Sequence, residues 1–155
     1  MKNDKKLPKG LSGVSGEYFV AAELSRRGYI AAITSKNTKD YDLLVSNFED
    51  SSESEKTLRI QVKTNQGSRK SWLLSKKCED IRSESTFYVF VNLNGLEIPD
   101  YYIVPSNIVA EQITESHKKW VKEPGRNNKE HKDTSMRMFN DEEELYLNRW
   151  DLLDL

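Results

Sequence analysis

The segment Leu58-Arg59-Ile60-Gln61-Val62-Lys63-Thr64 constrains the fold more than any other part of the chain. Its apolar residues recur at every second position, the period of a strand with one face against a core. That same period sends Gln61 and Lys63 together to the opposite face. An amide and an ammonium are therefore presented side by side from a segment that otherwise reads as core.

The surrounding pattern supplies the rest of a sheet. Tyr29 to Ile33 and Tyr41 to Val45 read as strands before this one. Phe87-Tyr88-Val89-Phe90-Val91 and Tyr101-Tyr102-Ile103-Val104 read as strands after it, separated by the turn-forming Asn94-Gly95 and Pro99-Asp100. The acidic, serine-rich stretch from Glu49 to Lys56 predicts an exposed hairpin loop between the second and third strands. If it closes such a hairpin, Asp42, which heads Leu43-Leu44-Val45, comes next to Gln61.

Helices flank these strands. Gly16 to Gly28 has Phe19 or Val20 and Leu24 on one face, with Ser15 as N-cap and Gly28 as stop. Trp72-Leu73-Leu74 forms a small apolar island, and Ser75 to Arg82 predicts a short helix. A further helix follows Pro105-Ser106 and directs Ile108, Val109, Ile113 and Trp120 to the core. The three tryptophans, Trp72, Trp120 and Trp150, read as core anchors. Residues 123–140 read as a polar, loop-rich segment, and residues 141–155 regain apolar spacing and dock back on the core.

The expected architecture is α/β, a mixed central sheet flanked by helices in the order α-β-β-β-α-β, plus a helical C-terminal extension. At 155 residues, with 36% apolar residues, the chain supports a single domain, residues 1–11 being read as a mobile leader. The lone Cys78 and the absence of an apolar signal core behind the basic start predict a reducing, cytoplasmic location. No stretch has the roughly 18 apolar residues of a membrane span. Zinc chemistry is disfavoured because His117 and His131 lack a partner at ligand spacing, and neither a serine-hydrolase elbow nor a phosphate-binding glycine loop occurs.

Asp42 and the Gln61 amide oxygen are hard ligands suited to Mg²⁺ or Mn²⁺, and Lys63 is a cation placed to orient an attacking water and stabilise a pentavalent phosphoryl group. Each residue also has a plainer reading. Asp42 can cap the turn after Lys36-Asn37-Thr38-Lys39, Glu17 can be a helix-start carboxylate favoured by the dipole, and Lys63 can be an edge-strand charge. Asp40, two residues before Asp42, is a second candidate ligand.

With Gly16-Glu17, Asp42-Leu43-Leu44-Val45 and Gln61-Val62-Lys63, residues 12 to 104 resemble the PD-(D/E)XK nuclease superfamily, in the branch of Mrr-like restriction endonucleases and archaeal Holliday junction resolvases. The resemblance implies a restriction-endonuclease-like core and a metal-dependent endonuclease acting on DNA. Asp42, Gln61, the Val62 carbonyl and Glu17 would hold Mg²⁺ or Mn²⁺, and Lys63 would act on the nucleophilic water. Most members carry Glu or Asp where this chain has Gln61, which lowers the negative charge of the site and makes Glu17 more necessary. The alternative is a catalytically silent nuclease-fold module that binds nucleic acid or a protein partner. A homodimer is expected because one small domain engages one strand at a time. RNA and DNA are not separable from sequence.

The net charge of −1 argues against tight non-specific nucleic-acid binding. The basic residues Lys118, Lys119, Lys122, Arg126, Lys129, Lys132 and Arg137 are nevertheless concentrated in the 117–137 segment.

Overall fold

The computed structural model describes residues 6–35, 40–48 and 56–155. The expected turn at residues 36–39 and most of the expected loop at 49–56 lie outside the described residues. Among the described residues no helix is long and apolar enough to cross a membrane.

Helix α1 (Lys9–Arg26) is followed by strands β1 (Tyr29–Ile33), β2 (Leu43–Asn47) and β3 (Thr57–Asn65). Strand β4 (Ser71–Ser75) and a 3₁₀ turn (Lys76–Asp80) lead to β5 (Thr86–Asn92) and β6 (Asp100–Pro105). Helix α2 (Ser106–Lys122), β7 (Met136–Asn140) and a 3₁₀ turn (Trp150–Leu153) complete the order. The main sheet runs β1-β2-β3-β5-β6, with β3 and β5 parallel and every other pair antiparallel; β4 and β7 form a separate two-stranded sheet. The fold is a mixed α/β sheet flanked by helices. The crossover between the parallel strands is made by β4 and a 3₁₀ turn instead of the expected α-helix.

Each face of the sheet has its own core. Val20 and Leu24 of α1 pack on Leu43, Val45, Ile60, Val62, Val89 and Ile103, and Trp150 and Leu153 of the tail close that layer. On the other face, Trp72 and Phe139 of the small sheet and Val109 and Ile113 of α2 cover Tyr88, Phe90, Tyr102 and Val104. The rings of Phe90 and Phe139 stack with centroids 4.5 Å apart and planes 4° from parallel. Strand β5 lies between the two cores and is buried throughout, which is why its sequence is unbroken apolar rather than alternating. Full burial of each such side chain contributes roughly 1.5–3 kcal/mol.

The docked tail also closes the β6 edge: Ile103 donates its amide to the Tyr146 carbonyl at 3.0 Å, and Asn148 donates to Tyr101 at 2.7 Å. The tail does this through a run of turns, an isolated bridge between Tyr102 and Leu147 and one 3₁₀ turn, without the expected helical extension.

Three expectations change. Helix α1 starts at Lys9, inside the stretch read as leader, and Ser15 is a mid-helix residue whose hydroxyl donates to the Leu11 carbonyl at 2.8 Å. Gly16 lets α1 approach the sheet, for a Cβ there would stand 1.9 Å from Thr64 Oγ1. Residues 136–140, read as polar loop, form β7, whose alternation is Arg137 and Phe139 in, Met136 and Met138 out. Trp120 is 40% exposed and Ile108 faces outward, so only Val109 and Ile113 of the four α2 residues expected in the core are buried.

Candidate active site

The β2–β3 ladder ends at the Leu43–Ile60 pair, which leaves Asp42 at its mouth beside Gln61 and Val62. The Asp42 amide donates to the Ile60 carbonyl at 2.8 Å, while its carboxylate Oδ2 accepts the Val62 amide at 2.7 Å. The carboxylate thus takes the ladder place of a backbone carbonyl. A charge-assisted bond of this kind is short and directional, so it holds the side chain near the plane of the sheet and leaves Oδ1 for another partner. From the β1 side, the Thr34 amide and hydroxyl both donate to the Asp42 carbonyl, at 2.9 and 3.1 Å.

Gln61 points to the face opposite Ile60 and Val62. Its Oε1 is buried and has no hydrogen-bond partner among the described residues, an arrangement that costs roughly 1–3 kcal/mol unless a donor or cation fills it. Lys63 lies two residues further on the same face and is half-buried. It forms no ion pair among the described residues. Lys63 pairs with Phe90 of β5 on one side, while the β2 ladder ends at Ile60 on the other, so its reading as an edge charge stands beside the catalytic one.

Glu17 is brought close by the helix seat. Gly16 rests on Thr64 of β3, and the next residue, half-buried Glu17, lines a cleft of about 330 Å³ together with Asp42. Lys9, Gly10, Gly13, Val14, Thr34 and Ser35 form the remaining wall. Gln61 and Lys63 do not line this cleft. Asp42, in the plane of the ladder, faces the cleft on one side and neighbours Gln61 on the other.

Asp40, the second candidate, is exposed and adopts a left-handed backbone with φ of 74°. His117 and His131 are engaged elsewhere, with Asp133 at 2.8 Å and the Trp120 carbonyl at 2.7 Å. Among the described residues no three His, Cys, Asp or Glu side chains gather to hold a metal. The hard donors are divided by the sheet: the Asp42 and Glu17 carboxylates share the cleft on the α1 side, and the buried Gln61 amide oxygen lies on the opposite face with Lys63. Lys9, Thr34 and Ser35 were not singled out from sequence. The signal that could have found Lys9 is the three-residue glycine spacing at 10, 13 and 16, of which Gly10 and Gly13 line the cleft and Gly16 seats the helix on Thr64.

Fold and site together define a mixed α/β protein with a helix-borne carboxylate, a strand-borne aspartate and a Gln-x-Lys strand around one hairpin. No protein-family model matches the chain, and no curated protein matches it. Among solved structures it is similar to Hjc of Archaeoglobus fulgidus, a Holliday junction resolvase from an archaeal hyperthermophile, at 11% identity over 83% of this chain and 84% of that one, with a TM-score of 0.47.

Proposed function

We propose that the protein is a metal-dependent nuclease that hydrolyses phosphodiester bonds in DNA. The observation that carries this reading is the Gln61 Oε1, buried and unpartnered among the described residues, on the residue beside the pinned Asp42. Glu17 supports it by sharing the Asp42 cleft.

Asp42 is the residue that would hold Mg²⁺ or Mn²⁺, with Gln61 on the Lys63 face or with Glu17 in the cleft on the α1 side, because the sheet separates those two partners. Such an ion, when bound, neutralises charge developing on phosphoryl oxygens and polarises water. The chain itself supplies position and charge. The Val62 amide fixes Asp42, so that no reorganisation is needed when the site fills. Lys63 places an ammonium on the Gln61 face, where it can orient the attacking water and stabilise the pentavalent phosphoryl group.

Nicking of supercoiled plasmid in Mg²⁺ or Mn²⁺ tests the reading. The wild type is expected to nick, and Lys63→Ala to lose nicking while keeping its circular dichroism spectrum and melting temperature. Equal cleavage by the variant would rule the site out.

A second reading, a catalytically silent module, is favoured by the neutral Gln61 and by the absence of a third carboxylate among the described residues. Calorimetric titration with Mn²⁺ separates the two. A silent module gives no heat that Glu17→Gln removes.

A further inference from the structure

Among the described residues, packed elements cover the sheet face that carries Gln61 over only half its width. The small β4–β7 sheet and α2 lie over β5 and β6. Over β1, β2 and β3 the same face presents Ile30, Leu44, Ser46, Arg59, Gln61 and Lys63, by the alternation of the paired registers. Ile30 is 50% exposed there. This forms an open floor beside the candidate site.

Arg59 is the feature of that floor that the proposed chemistry does not use. It is exposed, yet it sits on a central strand, where a charge protects no edge. Its guanidinium lies over the Tyr41 ring, 5.7 Å from the centroid, and it forms no ion pair among the described residues. Tyr41 immediately precedes Asp42, so the ring that steadies the guanidinium is covalently tied to the site. The aromatic shelf restricts a long side chain while leaving its planar donor fork directed outward. Such a fork matches the paired oxygens of a phosphodiester.

We propose that Arg59 is a positioning residue that clamps a backbone phosphate of the DNA strand next to the scissile bond, with Tyr41 as its shelf. The inference rests on the nuclease reading for its substrate and adds the element that aligns the strand. Because Arg59 holds the substrate equally before and during reaction, its loss acts on KM and leaves kcat in place.

Two measurements test this. The first is DNA binding by fluorescence anisotropy in EDTA, where no turnover occurs, as a function of salt. One lost phosphate contact lowers the slope of log K against log salt by about 0.9. Arg59→Ala is expected to show that reduction, Arg59→Lys to keep the wild-type slope, and Tyr41→Leu to keep the slope while binding several-fold more weakly. The second is steady-state nicking, where Arg59→Ala is expected to raise KM about tenfold with kcat within twofold. An unchanged salt slope in Arg59→Ala, or wild-type protein that binds no DNA at any salt, overturns the proposal. Binding with the expected slopes but without cleavage by the wild type overturns the nuclease reading alone and leaves the phosphate clamp standing.

Discussion

The contact between Gly16 and Thr64 sets the position of Glu17, and its strength can be worked out atom by atom. Alanine at position 16 gains roughly 1 kcal/mol over glycine within a helix. Its Cβ, however, would stand 1.9 Å from Thr64 Oγ1, 3.0 Å from Thr64 Cβ and 3.1 Å from Thr64 Cγ2. Thr64 is β-branched and sits on the central strand, so rotation only exchanges one clashing atom for another. Forcing an extra carbon into such a contact costs about 1–3 kcal/mol, and Gly16→Ala is therefore expected to destabilise the fold by up to about 2 kcal/mol net. For a chain of this size that lowers the melting temperature by about 2–4 °C per kcal/mol. Urea denaturation should show a lower midpoint with an unchanged slope. Thr64→Ala removes the 1.9 and 3.1 Å contacts and a buried hydroxyl that has no partner among the described residues, and leaves only the position-64 Cβ at 3.0 Å. In that background Gly16→Ala should lose most of its cost, a coupling that a double-mutant cycle reads directly. Where the single variant stays folded, nicking should still fall, because a displaced α1 carries Glu17 away from Asp42. A single Gly16→Ala variant as stable as the wild type, with no coupling to Thr64, would refute the close-packed seat.

Two further outcomes follow from the second core and the α2 surface. Phe139→Ala removes a fully buried ring stacked on Phe90 and should cost about 3–5 kcal/mol, whereas Leu73→Ala on the exposed face of the same small sheet should stay within about 0.5 kcal/mol, both measured by urea melts. The Asp133 carboxyl is held below its ordinary value of 3.8 by the hydrogen bond from His117, helped by the charges of Lys76 and Arg137. A depressed carboxyl stabilises the fold above its ordinary value and loses that contribution as pH falls through the lower folded value. Melting temperature should therefore drop more steeply below about pH 4 in the wild type than in Asp133→Asn, and parallel acid limbs would contradict the assignment.

The parts of the fold that were legible in the sequence are those whose partners lie within one window. Phe87 to Val91 read as a strand because burial on both faces leaves an unbroken apolar run, and Val109 and Ile113 read as a core face by helical spacing. Strand β7 was illegible because Arg137 occupies an inward position. Its burial depends on Glu79, 58 residues away in sequence, and on the carbonyls of Thr134 and Met136 at 2.6 and 2.9 Å. No local pattern marks such a residue as core. Trp120 misled for the opposite reason. It keeps the spacing of the buried face of α2, but there its ring stacks on His131, centroids 4.0 Å apart, instead of entering the core.

The candidate site was legible in composition and only partly in geometry. Strand alternation assigns Gln61 and Lys63 to one face correctly, but it cannot foresee that the carboxylate of Asp42, at the mouth of β2, turns into the ladder to accept the Val62 amide. That bond gives Asp42 two duties. A hydrogen bond to a charged group contributes roughly 1.5–3 kcal/mol, and its removal leaves the Val62 amide without this acceptor. Any Asp42 variant therefore loosens the hairpin register as well as removing the proposed ligand, so lost cleavage in Asp42→Ala has two explanations that activity alone does not separate. Lys63 has no such structural bond among the described residues. A loss of nicking in Lys63→Ala with an unchanged melt is thus a statement about chemistry, and the lysine is the sharper probe of the site.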